Sequence, residues 1–432
     1  MHIKENCFLF TPRISTLNNP IKYFYMYKEE KFMKYASVLI VILSLNLLLF
    51  NGCQINIIEA ETNDGNLENM IITNTEEAGT VYPQAWATGD GTASNPWAGD
   101  CINKALDAVP DGGTIYLRAG YYLLSHTLWS STKSYNLIGE GRNKTIIVTS
   151  MTNKNGIYID TDHCTLKGFT INGASQADNG PSLINVHSCD YTLLKDIEIE
   201  NAGKMGINLY ITSHSSLQNI YAHDNYTHGV HPHAYGVAGG NMYNTYRDIY
   251  CWSNGRNGFD DWGNNIKVEQ YNVYDNLQCW DNGELGIAIS NQKNGVLSNS
   301  FASGNGEKGI HLSRIEDFDI TDCLVTDNAG TGITLCTSKN INFTNVIVKN
   351  NKNGISIQNC SNATLITCQS FDDRFPLLQI YGLELKAGCS GITVSGCKLT
   401  PNRFGDIYNP NNLAVKVIGY LMDVSLMKIV RE

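Results

Sequence analysis

The chain has 432 residues, of which 42% are hydrophobic and only 17% charged, with 39 glycines and 10 prolines. That balance excludes a coiled coil and a disordered chain, and the apolar share supports a substantial core. Lys and Arg total 31 against 41 Asp and Glu, a formal charge of −10. No basic stripe is present, so nucleic acid is excluded as a partner.

The first element is an apolar run from Ala36 to Phe50, preceded by Lys31 and Lys34 and ending at Asn51-Gly52-Cys53. A basic flank, a short apolar stretch and small residues at its end describe an export signal over 1–53. The run is shorter than the roughly 20 residues that span a bilayer. Phe50-Asn51-Gly52-Cys53 is similar to a prokaryotic lipobox, which makes Cys53 the expected lipidation site. The expectation is an exported protein, extracellular or at the cell surface, touching membrane only through that lipid. Met33 is a more natural start than Met1. Residues 54–80 read as an acidic linker and 81–432 as one domain. The thirteen cysteines lie at repeat-like positions without a CxxC pair, which suits small apolar residues in a core better than a disulfide framework.

Within the domain, Ile102, Ala105, Leu106 and Val109 fall at i, i+3, i+4 and i+7, predicting one helix over 100–109, stopped by Pro110 and Gly112-Gly113. Short alternating strands follow from Thr114. Then a motif recurs: Gly206, Gly229, Gly258, Gly286, Gly309, Gly332, Gly354 and Gly382 stand 22, 23, 28 or 29 residues apart, each followed by an apolar residue. Asn225, Asn254, Asn282, Asn305, Asn328 and Asn350 stand four residues before six consecutive members of this series. A period near 22–23 with asparagine at a fixed turn position means stacked coils whose side chains hydrogen-bond along the stack. The LxxLxL consensus of leucine-rich repeats is missing. Strands joined by polar turns, without intervening helices, point to an all-β chain wound as a parallel β-helix, a solenoid. The longer intervals imply loops at 234–250 and 264–280, where Tyr235, Tyr243, Tyr246, Tyr250, Tyr271 and Tyr274 fit a binding wall and loop packing equally well.

Alternation along each strand sets the side-chain directions. The second residue after each glycine forms an outward column, Asn208, His231, Asp260, Ala288, His311; the fourth forms another, Tyr210, His233, Trp262, Ser290, Ser313. Asp261 falls at an inward position, which suggests a local bend. Further on the columns read Thr334, Ser356 and Cys336, Gln358, and the unusual residues end. Aromatic rings stack on sugars, and imidazole and carboxylate groups move protons near neutral pH. Lys204, Tyr226, His228, Glu284 and Arg314 lie beside the columns and supply charge or a base. The patch reads as a carbohydrate cleft.

The chain resembles the right-handed parallel β-helix superfamily, the pectate-lyase-like fold, over roughly residues 80–420, which implies a single-stranded right-handed parallel β-helix with the helix over 100–109 as its amino-terminal capping helix. Within it, His228-Gly229-Val230-His231-Pro232-His233 is similar to the Tyr-Gly-Phe-Asp-Pro-His motif of alginate C5-epimerases. His233 and Pro232 match that motif, His231 replaces its aspartate, and His228 stands where its tyrosine would be.

The resemblance implies a polysaccharide substrate and leaves three functions open. One is a lyase or epimerase acting on a uronate-containing chain. His233 or Tyr226 would deprotonate C5, with the carboxylate neutralised by Arg314, Lys204 or a cation such as Ca2+ at Asp260 and Asp261. Another is a glycoside hydrolase of a matrix polysaccharide, with Asp260 and Asp261 as the carboxylate pair and His311 beside them. The third is a non-catalytic surface protein binding carbohydrate, or metal through His223, His228, His231 and His233. Catalytic roles thus fall on His231, His233, Asp260, Asp261, His311 and Arg314. Substrate contacts fall on Lys204, Asn208, Tyr210, Tyr226, His228, Trp262 and Glu284. A homotrimer is open to it, as to several β-helix proteins.

Overall fold

The computed structural model describes residues 79–149, 151–173, 180–234, 240–263 and 269–419. The leader, Cys53 and all of the linker before residue 79 lie outside the described residues, as does Tyr235. The compact unit of the solenoid begins at Thr80.

The expected capping helix is present as α1 (Cys101–Ala108), which buries Cys101, Ile102, Ala105 and Leu106 against Pro83–Trp86 and Thr114–Leu117. Beyond it the chain winds into parallel coils. Each coil from residue 157 onward gives one strand to an eleven-stranded parallel sheet: β1 (Ile157–Ile159), β2 (Ile184–His187), β3 (Ile207–Tyr210), β4 (Val230–His233), β5 (Phe259–Trp262), β6 (Ile287–Ser290), β7 (Ile310–Ser313), β8 (Thr331–Cys336), β9 (Asn353–Gln358), β10 (Tyr381–Leu385) and β11 (Gly405–Tyr408). The remaining strands form a second sheet of twenty-two strands. Inward residues stack in register: Ile207 on Val230, Val230 on Phe259, Phe259 on Ile287, Ile287 on Ile310. All five are fully buried, and each such side chain removed from water stabilises the fold by about 1.5–3 kcal/mol.

The recurring glycines have a steric cause. A Cβ on Gly229 would lie 2.8 Å from the Gly258 carbonyl and 2.9 Å from Cys251 Sγ, and one on Gly258 would meet Gly286 in the same way. The turn before each glycine is closed by the asparagine ladder. Asn225, Asn254, Asn282, Asn305 and Asn328 each donate Nδ2–H to the Oδ1 of the next member at 2.8–3.0 Å. The last rung is Asn351 rather than the expected Asn350, because that coil is one residue shorter; the Asn350 carboxamide instead accepts from the Asp373 amide.

Of the two readings of the tyrosines at 234–250 and 264–280, the described ones follow packing rather than a binding wall. Thr245–Trp252 and Val273–Trp280 are strands of the second sheet. Tyr246 and Tyr274 are buried in the core, Tyr243 and Tyr271 stack on each other at the surface, and Tyr250 stacks on Tyr221. The eleven described cysteines are all free; ten are buried and Cys336 is half-buried. Among the described residues no helix is long and apolar enough to cross a membrane.

Candidate active site

Strands β3 to β7 carry the expected columns in register: Asn208 lies beside His231, Asp260 beside Ala288, and Ala288 beside His311. Between β4 and β5 the pairing holds at Val230–Phe259 and His233–Trp262, the two ends of the strands. In the gap between, His231 Nδ1 donates to the Asp260 carbonyl at 2.8 Å, with the Asp260 carboxylate Oδ2 3.1 Å away. A ring that gives its Nδ1 proton away presents Nε2 as a lone pair, the tautomer that serves as base or ligand.

His228 approaches the same carboxylate, its Nδ1 3.5 Å from Asp260 Oδ2, and its ring stacks on His231 with centroids 4.8 Å apart. His233 stacks on the other neighbour, 4.7 Å from His231. Two imidazoles therefore approach one carboxylate that is only 3% exposed, and a third, His233, backs them by stacking on His231. Burial alone would raise the Asp260 pKa, but the hydrogen bond and charge of His231, then the charge of His228, outweigh it and hold the carboxyl below its ordinary value. Burial, then the neighbouring His231, holds His233 down to about 3. Burial is also the main cause of the about 4 of His228, which the Asp260 charge partly offsets. His311 is likewise held at about 4 by burial, then by Lys308.

Beside these strands lies a cleft of about 780 Å3 whose walls include Lys204, Tyr226, Thr227, His228, Arg256 and Glu284. Lys204, Tyr226, His228 and Glu284 are thus brought together as expected. Arg256 went unnoticed in the sequence, although the register contained it. Lys204, Thr227, Arg256 and Glu284 each stand two residues before a repeat glycine, and their amides and carbonyls bond from coil to coil. That column sets Lys204 and Arg256 along one wall, with Arg256 3.3 Å from Glu284.

Four expectations change. Asp261 turns inward, fully buried, where its Oδ2 accepts from Tyr274 at 2.6 Å, so it cannot pair with Asp260 at the surface. The two aspartates therefore do not share one seat for a cation, and the donors gathered at Asp260 are one carboxylate with two imidazoles. Arg314 lies past the end of β7, across the strand from the cleft, donating from Nε to Asn291 at 2.8 Å. His223 belongs to the second sheet, between Glu198 and Asp224.

The aromatic column extends further than the motif suggested. Tyr210 lies between His187 and His233, its ring tilted to them by 38° and 49°; His187 stacks on Tyr158, and Tyr158 meets Trp129 edge-on. Trp262, in register with His233, is 46% exposed. The signal for His187 and Tyr158 was the same register carried two coils back, before the glycine series begins.

Fold and face together define a right-handed parallel β-helix with a histidine–carboxylate cluster on one sheet. The chain belongs to the Pel9A-like right-handed β-helix family, whose model matches residues 80–334, more than half its length. No curated protein matches it by sequence. Among solved structures it is similar to the A-module of the Azotobacter vinelandii mannuronan C-5 epimerase AlgE6, at 15% identity and a TM-score of 0.63, covering 78% of this chain and 98% of that one. The AlgE4 A-module of the same organism follows at 14% and 0.60, covering 78% and 96%. PfbA, a surface adhesin of Streptococcus pneumoniae, shares 11% with a TM-score of 0.55, covering 79% and 92%. At such identities the likeness is one of fold.

Proposed function

We propose that the chain is a polysaccharide lyase or epimerase acting on a uronate-containing chain laid across β3 to β7. The observation that carries this is the imidazole cluster around Asp260, set between a cationic wall and a run of aromatic rings. A uronate needs three things: neutralisation of its carboxylate, a base for the C5 proton and a surface for its rings. Lys204 and Arg256 stand on the charged wall, His233 is the outward imidazole beside Tyr210, and the aromatic run supplies the surface. His233 takes the C5 proton, leaving a carbanion delocalised into the neutralised carboxylate. Expulsion of the C4 oxygen, which acquires a proton as it leaves, gives a 4,5-double bond; return of a proton to the opposite face of C5 gives the epimer.

Hydrolysis fits less well, because the second carboxylate it needs, Asp261, is turned into the core. The alginate C-5 epimerases among the structural neighbours agree with the proposal in fold. Location outside the cell remains part of the proposal, on the strength of the leader.

The test offers a panel of acidic polysaccharides to wild type, His233→Ala and Lys204→Ala. Ultraviolet absorbance reads the new double bond, and proton NMR reads C5 inversion. Loss of a base costs about 10²–10⁴-fold in rate, so His233→Ala should lose that factor while keeping a native circular-dichroism spectrum. New reducing ends with neither signal would replace this reading by hydrolysis. Binding without turnover of any polymer would replace it by a carbohydrate-binding role.

A further inference from the structure

We propose that His228, His231 and Asp260 form a binding site for one transition-metal ion of the zinc class. One donor atom from each residue lies within 4.8 Å of the others. Donors at 2.0–2.2 Å from a tetrahedral ion sit roughly 3.3–3.6 Å apart, so small side-chain rotations close the set. Two donor atoms of these residues are buried without a hydrogen-bond partner, His228 Nδ1 and Asp260 Oδ1. Such orphans are costly in a folded protein and call for a missing partner. Their owners are 8% and 3% exposed and face one another across 3.5 Å. A cation held between them would satisfy both.

The donor chemistry selects the ion. Two imidazoles and a carboxylate suit zinc, cobalt, nickel or copper, whereas Ca2+ and Mg2+ ask for oxygen throughout. The other histidines of the region stand apart from the set. His233 lies between Tyr210 and His231, and His223 is held by Glu198 and Asp224 on the second sheet. Three protein ligands leave a further position on such an ion for an oxygen of a bound molecule. Resting on the proposed function, that oxygen belongs to the substrate carboxylate, and the ion shares its neutralisation with Lys204 while His233 handles the proton.

The experiment needs no substrate. The full chain, free of any purification tag, is stripped with a chelator, dialysed and given Zn2+, Co2+ or Ca2+ singly, and bound metal per chain is measured by elemental mass spectrometry. The expected result is one zinc per chain, held at least ~100-fold more tightly than Ca2+, and for Co2+ the intense visible absorption of a low-coordinate site. His231→Ala and Asp260→Asn should each weaken zinc by more than the ~10–100-fold that loss of a supporting group causes. His126→Ala, an exposed histidine elsewhere, should leave it unchanged. Three outcomes overturn the site: zinc bound well below one per chain, Ca2+ competing evenly with Zn2+, or full zinc affinity in a folded His228→Ala/His231→Ala double variant. A protein that binds zinc but turns over no uronate overturns the proposed function and leaves the site standing; an active protein that takes up no zinc does the reverse.

Discussion

Adjacent aspartates on one strand, Asp260 and Asp261, are driven to opposite proton affinities by the alternation of the strand. Asp260 faces out, where His231 and His228 favour its charge. Asp261 faces in, at the register position that Leu209 and Ile289 occupy in neighbouring coils. Burial, then the charge of Glu269, pushes its pKa well above the ordinary 3.8, and the Tyr274 hydroxyl only partly opposes this. Folding therefore takes up a proton at Asp261 in the window that starts at the ordinary value and ends at the raised one. Stability from this group is present below that window and falls as pH rises through it. Asp261→Asn, which keeps the shape and accepts from Tyr274 without a charge, should flatten that decline. Urea unfolding midpoints of both proteins across the pH range would show it, and parallel curves would refute it.

At the scale of the element, the asparagine ladder turns a sequence period into stability. Asn282 accepts from the Asn254 amide and side chain, and donates to Asn305 and to the Cys251 carbonyl, all buried. Asn282→Ala strands several of these groups at once, at about 1–3 kcal/mol for each left unsatisfied, so a loss of at least ~2 kcal/mol is expected in denaturant unfolding. Asn342 makes a similar bond, to Asp319, but on the exposed face of its strand. Its replacement by alanine should stay within about 0.5 kcal/mol. Equal losses at the two sites would mean that burial does not set the value of a rung. This coupling also explains what could be read beforehand. Gly229, Gly258 and the asparagines before them repeat because each coil must meet the next at the same two places, so the period exposed the fold and the outward columns. Asn351 was missed because one coil is a residue shorter. The role of Asp261 was missed because its partners, Glu269 and Tyr274, come from a coil wall whose register the glycine series does not track. Arg256 obeys the register yet escaped notice, since a lone arginine in a turn has no neighbour in sequence to mark it.

Over the whole molecule the site face is lopsided, and this gives the solenoid a direction. Rings continue from His233 toward the amino-terminal coils through Tyr210, His187 and Tyr158 to Trp129, while toward the carboxyl end they stop after Trp262, beyond which the same position holds Ser290, Ser313 and Cys336. At about 4.8 Å per coil, the run from Trp129 to Trp262 is roughly 24 Å long, enough for several sugar residues. Ring orientation decides whether such a run can hold them. A second ladder of His163, Tyr191, His214, Tyr243 and Tyr271 has interplanar angles of 8–20°, so its inner rings, Tyr191, His214 and Tyr243, are each stacked on both faces. Trp129, by contrast, meets Tyr158 at 85° and is 52% exposed, which leaves indole surface for a ligand. A polymer bound at Asp260 should therefore extend mainly toward the amino-terminal coils, reaching Trp129 only when it is long enough. Trp129→Ala should raise KM by roughly 3- to 10-fold for long oligomers, the worth of one aromatic stacking interaction. It should leave kcat unchanged and the shortest substrates unaffected, because a remote interaction that stabilises ground and transition states equally shows in KM alone when it is removed. Tyr243→Ala, from the ladder whose faces are covered, serves as the control and should alter neither. Kinetics over a series of oligomers of increasing length would decide the matter. A Trp129→Ala effect of the same size at every length, or none at any, would remove the aromatic run from substrate binding and leave it as packing between coils.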